Sequence, residues 1–518
     1  MSLITLDFFI FLCVMLIAYY VAPKFLGSEV QWMILLAGSL IFYAYASPKY
    51  LIFILVSAAS SFCLAKLIEA EKVKVAKCSE EKEKDNKNNA DIKNNSKLYL
   101  VLAIVINIGI LAVLKYTGML LEIVGAFSKL QIPAVHFILP LGISFYTFMI
   151  VSYVVDVYKG DTEAEDNFLK YLLFVSFFPQ IIEGPINRYN RIKNTMFAEH
   201  EFDFNHCKKA GYRILQGLFK KVVIAGRFGV YVDTVFENVS AYGGLTLFVS
   251  MIFYAIQLYA DFSGCMDMVL GIAELFGVTM EENFDLPFFA KSVAEFWRRW
   301  HISLGTWFRD YIYNPVMQSA SSKTLKQKLH KTSLKKWSMN IVAARALLVV
   351  WLLTGIWHGG SVKFAVYGLY WGVIIIASLF LTKQFKKFHK RYPKLVASKG
   401  YAVFQMLRTF VLVDIGLMMF RADTLRDVYE VLKGVVTRFA INVDSISEAL
   451  LPFTGDNTAV SYGAVACVSA LVLFIVELFE YNKKDTFKKH KYINAVVLIV
   501  VTLLFGVFGT SGFLYMAY

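Results

Sequence analysis

A series of apolar stretches near membrane-crossing length, separated by short charged runs, constrains this chain more than any other feature. A hydrocarbon layer about 30 Å thick takes roughly 20 apolar residues of helix to cross. Inside it every backbone polar group must be satisfied by the protein itself, which favours helices. The stretches lie near residues 5–23, 31–47, 50–69, 98–115, 137–157, 244–262, 340–356, 401–420, 460–480 and 492–516, with a further span carrying Tyr367-Gly-Leu-Tyr-Trp-Gly372. They predict an all-α polytopic membrane protein of about eleven crossings, with residues 1–518 as one membrane-embedded domain. Met1 to Asp7 carries no positive run, so the first stretch is expected to remain as a span rather than a cleaved signal.

Composition agrees. Hydrophobic residues make up 57% of the chain, above the roughly 45–50% of soluble domains. The net charge of +14 sits in short runs between apolar segments, as juxtamembrane lysines do. No aromatic-interleaved basic platform for nucleic acid is present, so no nucleic-acid partner is expected. Cys13, Cys63, Cys78, Cys207, Cys265 and Cys467 are scattered without a CxxC pair, so neither a structural metal nor a disulfide framework is expected.

Charge also suggests an orientation. Residues 71–97 hold eight lysines and no aromatic residue, which reads as a flexible cytoplasmic loop. Counting back three spans puts the N-terminus on the extracytoplasmic side. The basic runs Lys383–Lys399 and Lys483–Lys491 agree. Ser321–Lys336 reads as another lysine-rich loop, and residues 205–228, with Lys208, Lys209, Arg213, Lys220 and Lys221, as a basic cytoplasmic-surface helix. Pro140 and Gly142 break the fifth stretch. Phe177–Tyr189, with two prolines, a glycine, Glu183 and Arg188, reads as re-entrant or interfacial.

The unusual stretch is Glu295–Tyr313. Trp297, Trp300, Leu304, Trp307, Phe308 and Tyr311 recur at helical spacing and predict one aromatic face on a long helix. Arg299, Ser303, Thr306 and Asp310 fall opposite, and His301 sits at the seam. Charge and tryptophan together suit an interface or a polar cavity inside a bundle better than lipid. The apolar run after Asn340 ends at Trp357-His-Gly-Gly360, where the glycines read as a helix C-cap. His136, His200, His206, His330, His389 and His490 lie in polar surroundings and read as solvated. His301 and His358, each beside a tryptophan in an apolar zone, are the candidates for chemistry. Asp261 and Asp267 are acids near membrane depth, equally suited to function or to a structural ion pair.

A desolvated neutral imidazole is a competent general base, although a helix C-terminus favours the cation. No GxSxG elbow, Walker sequence, HExxH or GxGxxG motif is present. What remains is base-assisted attack of an acceptor hydroxyl on an activated acyl group.

Asp261-Phe-Ser-Gly264, Glu295-Phe-Trp-Arg-Arg-Trp-His-Ile-Ser-Leu304, Trp307-Phe-Arg-Asp-Tyr311 and Trp357-His-Gly359, in this order, resemble the membrane-bound O-acyltransferases (MBOAT). The bacterial branch that acetylates alginate is the most similar. Phe178-Pro-Gln180, Gly184-Pro-Ile186, Gly217–Ile224 and Phe420-Arg-Ala422 share the likeness, which extends over most of the chain. The resemblance implies a helical bundle with re-entrant and amphipathic helices around a central tunnel, and a catalytic core at 283–360. It implies His358 as the catalytic histidine and His301 as the second signature histidine. Trp357, Arg298, Arg309, Asp310, Trp300 and Asp261 would line the tunnel or support the histidines. No bound cofactor or metal is implied. Acetyl-CoA or an acylated carrier would serve as cytoplasmic co-substrate, a separate extracytoplasmic acetyltransferase would be the partner, and a glycan the final acceptor. After Tyr313 the branch usually continues Pro-Leu-Gly-Gly-Asn, whereas this chain reads Asn314-Pro-Val-Met-Gln318. Donor docking there is not carried over.

The leading expectation is therefore transfer of an acyl group, most simply acetyl, across the bacterial plasma membrane for O-acetylation of an extracellular or cell-wall polysaccharide. D-alanyl transfer toward teichoic acid is the alternative within the same chemistry. A solute transporter is the alternative outside it, disfavoured because no inverted repeat is evident.

Overall fold

A computed structural model of the chain describes residues 3–46, 48–85, 94–128, 139–453, 459–484 and 491–508. Among the described residues the secondary structure is helical, and the one extended pairing is an isolated antiparallel bridge between Phe284 and Trp300. Among the described residues eight helices are long and apolar enough to cross a membrane: Leu6–Leu26, Pro48–Cys78, Ser96–Leu121, Gly244–Leu275, Ser333–His358, Val362–Arg391, Lys399–Arg421 and Gly463–Tyr481. Val30–Ala46 and Lys491–Phe505 are shorter apolar helices, and Ile143–Lys159 covers the remaining expected span. Their outer faces carry exposed Ile17, Val105, Val373, Leu407 and Leu503. This is the surface expected of a multi-pass membrane protein, where lipid replaces water.

Two compact units divide the chain: Met1–Gly211 with Val269–Glu281, and Tyr212–Met268 with Glu282–Tyr518. In the first, the Phe11 ring packs against Phe42 and edge-on against Phe178, and Tyr171 packs at a tilt against Tyr153 while its hydroxyl meets Ser61 Oγ at 2.8 Å. Gly142, at φ +67°, turns the chain into the Ile143–Lys159 helix, as the Pro-Leu-Gly signal predicts. Phe177–Tyr189 is short helix followed by extended backbone, buried throughout. Its amide side chains bond inside protein: Asn187 Nδ2 donates to Gln180 Oε1 at 2.6 Å and Asn187 Oδ1 accepts from the Glu281 amide at 3.1 Å. Irregular backbone at membrane depth survives under that condition.

In the second unit, the Gly244–Leu275 helix runs antiparallel to a helical rod formed by the end of Phe204–Phe219, a π-helical turn at Lys220–Ala225 and Gly226–Glu237. The two approach at Gly217 and Gly264, where a Cβ on Gly217 would meet Met268 Cγ at 2.7 Å. Lys221 pairs with Asp261, both buried. Lys220 and Arg213 hold Asp267 at 2.8 and 3.3 Å.

Three expectations need correction. Lys220 and Lys221 do not belong to a surface helix. Their charges are neutralised by Asp267 and Asp261, so the rod can bury them. Residues 71–85 are not loop: one helix runs Leu51–Asp85. Ala, Glu and Lys are strong helix formers, and neither glycine nor proline interrupts them. Of the remaining expected loop to Lys97, residues 86–93 lie outside the described residues, and the next helix starts at Ser96. Ser321–Lys336 is likewise helical, as Ala320–His330 and a 3₁₀ turn at Ser333–Trp337.

Removing one member of the buried pair leaves an uncompensated charge, which costs about 3–5 kcal/mol. Asp261→Ala is therefore expected to lower the unfolding midpoint of the purified protein strongly, and Lys221→Met/Asp261→Leu much less. Thermal unfolding in detergent reads both, and equal losses would contradict the pairing.

Candidate active site

A break in the helix builds one half of the site. Ser292 caps the Val293–Arg299 helix, its hydroxyl accepting from the Glu295 amide at 3.2 Å, while the Glu295 carboxylate accepts from the Lys291 amide at 3.0 Å. Trp300 then leaves the helix for the bridge with Phe284. His301 takes φ +47° and ψ +53°, the left-handed region. A non-glycine residue there costs about 1–2 kcal/mol. Helix resumes at Ile302–Phe308 and widens into a π-helical turn at Arg309–Tyr313. The single long helix expected over Glu295–Tyr313 is thus two short ones. The amides of Ile302 and Ser303 are taken by Asn283, through its carbonyl at 3.1 Å and its Oδ1 at 2.9 Å. A strip of backbone has displaced the intrahelical partners that the periodicity implied.

The other half is the end of a span. The Ser338–His358 helix stops at His358, where the Gly359 amide donates to Ile356 O at 3.2 Å, as the glycine signal predicts. This helix crosses Val362–Arg391 at glycines: a Cβ on Gly355 would sit 3.1 Å from Gly368 Cα. That approach lets Tyr367 lie edge-on to His358, ring centroids 5.7 Å apart, with Phe420 at 5.1 Å on the same imidazole. The Lys363 ammonium holds the Phe420 segment, donating to Phe420 O at 3.1 Å and Ala422 O at 2.6 Å.

Trp357 joins the halves. Its ring is 4.7 Å from His358 and 6.4 Å from His301, and Phe262 meets His301 edge-on at 4.9 Å. Both histidines are buried, at 2% exposure for His301 and 3% for His358. Burial pushes the His301 imidazole down to about 3, so it is neutral at physiological pH. Trp300 is buried one layer back, 5.3 Å from Phe296 and 6.4 Å from Phe262. Asp261 adjoins Phe262 in sequence, but its carboxylate pairs with Lys221. Arg298 and Arg309 are exposed, and Arg309 pairs with its neighbour Asp310 at 2.9 Å.

Among the predicted residues, then, His301, Trp357 and His358 converge, with Trp300 behind them. Arg298 and Arg309 lie at the exposed side of their segment, and Asp310 is half-buried beside Arg309. Phe262, Tyr367, Phe420, Lys363 and Asn283 had not been singled out for the site. Phe262 and Phe420 each lie in a stretch quoted for the family resemblance, but no spacing rule links them to a histidine 39 or 62 residues away, nor Asn283 to one 18 residues further on. Chemically, the arrangement offers two imidazoles in a water-poor aromatic cage. It suits proton transfer from an incoming hydroxyl. No group of three or more metal-ligating side chains occurs among the described residues.

A histidine held neutral by the fold ties stability to pH. The folded state binds fewer protons than the unfolded chain between the depressed value and the ordinary one, so stability is full above about pH 6.5 and is lost as pH falls toward 3. His301→Asn, which tolerates left-handed backbone, is expected to flatten this acid loss. Unfolding midpoints in detergent between pH 7 and 5 check it, and an unchanged slope would count against the burial argument.

The model of the MBOAT, membrane-bound O-acyltransferase family, matches residues 163–409, a range that includes both histidines and the Asn283 strip. The chain is 27% identical to the peptidoglycan O-acetyltransferase of Helicobacter pylori over 97% of its length and 94% of that protein. It is 29% identical to a Pseudomonas aeruginosa protein named "Probable alginate O-acetylase AlgI", over 81% of this chain and 71% of that one. The teichoic acid D-alanyltransferase of Bacillus subtilis is 28% identical over 54% of this chain and 68% of its own. With both signature histidines gathered around Trp357 and these matches reaching across the chain, it belongs to the membrane-bound O-acyltransferase family.

Proposed function

We propose that this protein is an O-acetyltransferase of the bacterial plasma membrane that passes an acetyl group from a cytoplasmic donor toward an extracytoplasmic or cell-wall polysaccharide. The observation that carries the reading is the convergence of buried His301 and His358 on Trp357. The relatives' names, peptidoglycan and alginate O-acetylation, support acetyl as the group and a glycan as its destination.

The step needs a base in a dry site. An acceptor hydroxyl enters beside His358, whose imidazole takes its proton as the oxygen attacks the thioester carbonyl. The new C–O bond forms, the C–S bond breaks, and the thiolate leaves with a proton returned from the imidazolium. The donor becomes a free thiol and the acceptor an ester. His301, neutral and fixed across the Trp357 indole, orients the acyl group or the acceptor. The donor is acetyl-CoA or an acetylated carrier on the cytoplasmic side. The acceptor side faces outward, where a separate acetyltransferase completes transfer to the glycan. The lysine-rich segments at 71–85, 383–399 and 483–484 support a cytoplasmic placement for those ends and an extracytoplasmic N-terminus.

The D-alanyl alternative rests on the Bacillus subtilis likeness, which covers about half of this chain. Incorporation of labelled acetyl or labelled D-alanine into surface polymer separates the two.

Removing a general base typically costs 10²–10⁴-fold. His358→Ala is expected to lower polysaccharide O-acetyl content at least about a hundredfold at matched membrane levels. Unchanged O-acetyl content in that variant would place the chemistry elsewhere.

A further inference from the structure

We infer that Asn283 is a positioning residue for the reaction: it holds His301 in its left-handed conformation and thereby aims the imidazole into the site. The inference rests on the acyl-transfer reading above and extends it to a residue outside the histidine motifs.

Left-handed backbone at a buried, bulky residue persists only where the surroundings over-determine it. Three non-glycine residues among those described have positive φ, and two of them, Leu286 and His301, lie at this junction. Between them runs one strip of paired backbone. The Ile302 amide donates to Asn283 O at 3.1 Å, and the Asp285 amide to Arg299 O at 3.0 Å. The Arg299 guanidinium closes the strip from the side, donating to Asp285 O at 3.0 Å and pairing with Glu295 at 3.0 Å.

Asn283 is the part of this strip that acts through its side chain. It has no exposed surface. Oδ1 accepts from the Ser303 amide at 2.9 Å, and Nδ2 donates to the Met266 thioether at 3.0 Å. These two contacts fix which end of the amide faces Ser303. The residue therefore grips the chain on the C-terminal side of His301 at two consecutive amides, one through its backbone and one through its side chain. Meanwhile the Trp300 amide donates to Phe296 O at 2.9 Å and anchors the N-terminal side. With both flanks held, residue 301 has no helical solution available. Its side chain is delivered against Phe262 and Trp357 rather than along the helix face that the periodicity implies. The hydrogen bonds of Asn283 go to the Ile302 and Ser303 amides and to Met266, so its effect on chemistry passes through backbone geometry.

The test uses the full chain in membranes at matched protein levels, with two readouts. The first is transfer of label from radiolabelled acetyl-CoA. Misplacing a catalytic group by about 1 Å costs up to about 10²-fold, so Asn283→Ala is expected to lower kcat roughly 10- to 100-fold with KM for acetyl-CoA unchanged. Asn283→Asp keeps the acceptor for Ser303 and is expected to recover most of kcat. The second readout does not need activity: carbethoxylation of His301 by diethyl pyrocarbonate, followed by mass spectrometry of its peptide. Buried His301 should resist the reagent in the wild type and react readily in Asn283→Ala. If Asn283→Ala does not accumulate, Asn283→Ser, which shortens the acceptor, takes its place in both assays. His301 equally protected in wild type and variant would overturn the inference, as would unchanged kcat or a loss carried by KM. Wild-type membranes that transfer no label would instead count against the acetyl-CoA reading, and the protection assay alone would then decide the role of Asn283.

Discussion

A helix broken inside a low-dielectric bundle frees backbone groups that water cannot reach, and the protein has to satisfy them itself. At Trp300–His301 this constraint is met by residues 283–285, which supply a carbonyl, an amide and a side-chain oxygen to the interrupted helix. The break is what allows a histidine to project out of the helical register. Continuous helix would place residue 301 at the edge of an aromatic stripe. The break puts it against Phe262 and within reach of Trp357.

The second histidine is placed by a different device. His358 ends its helix, so no further turn covers it, and the crossing at Gly355 and Gly368 draws a neighbouring span close enough for Tyr367 to face it. Lys363 secures the third wall by capping the carbonyls at the end of Lys399–Arg421, which presents Phe420. A lysine at a helix C-terminus satisfies orphan carbonyls and the helix dipole together. Aromatic walls on both imidazoles keep water away from the place where an acyl group would be attacked. That favours a neutral base and protects a thioester from hydrolysis.

Much of this is legible in the sequence, and what is hidden depends mostly on partners distant along the chain. The spans were legible because hydropathy depends on composition over a window rather than on partners. His358 was legible because Gly359 marks a helix end locally. The break at His301 is not: tryptophan and leucine keep the 3.6-residue period on both sides of it, and the group that interrupts the helix, Asn283, lies eighteen residues earlier, outside the Glu295–Tyr313 stretch. Lys220 and Lys221 looked like surface charges because their partners, Asp267 and Asp261, are about forty residues away on another helix. The helix through Asp85 is hidden for the opposite reason: solvated charge reads as irregular although its Glu, Lys and Ala residues favour helix. Arg298 and Arg309 carry the family motif but stand at the exposed side of their segment, where motif wording alone does not distinguish wall from surface.

The central claim is that Trp357 and the two histidines around it form one reaction centre. A cryo-EM structure of the full chain with a non-transferable thioether analogue of acetyl-CoA tests this directly. The analogue's acyl end is expected beside the Trp357 indole, with the carbonyl-equivalent atom within about 3–3.5 Å of the reacting position next to a His358 ring nitrogen. An acyl end lodged away from both histidines, with the Trp357 cluster unchanged and unvisited, would contradict it.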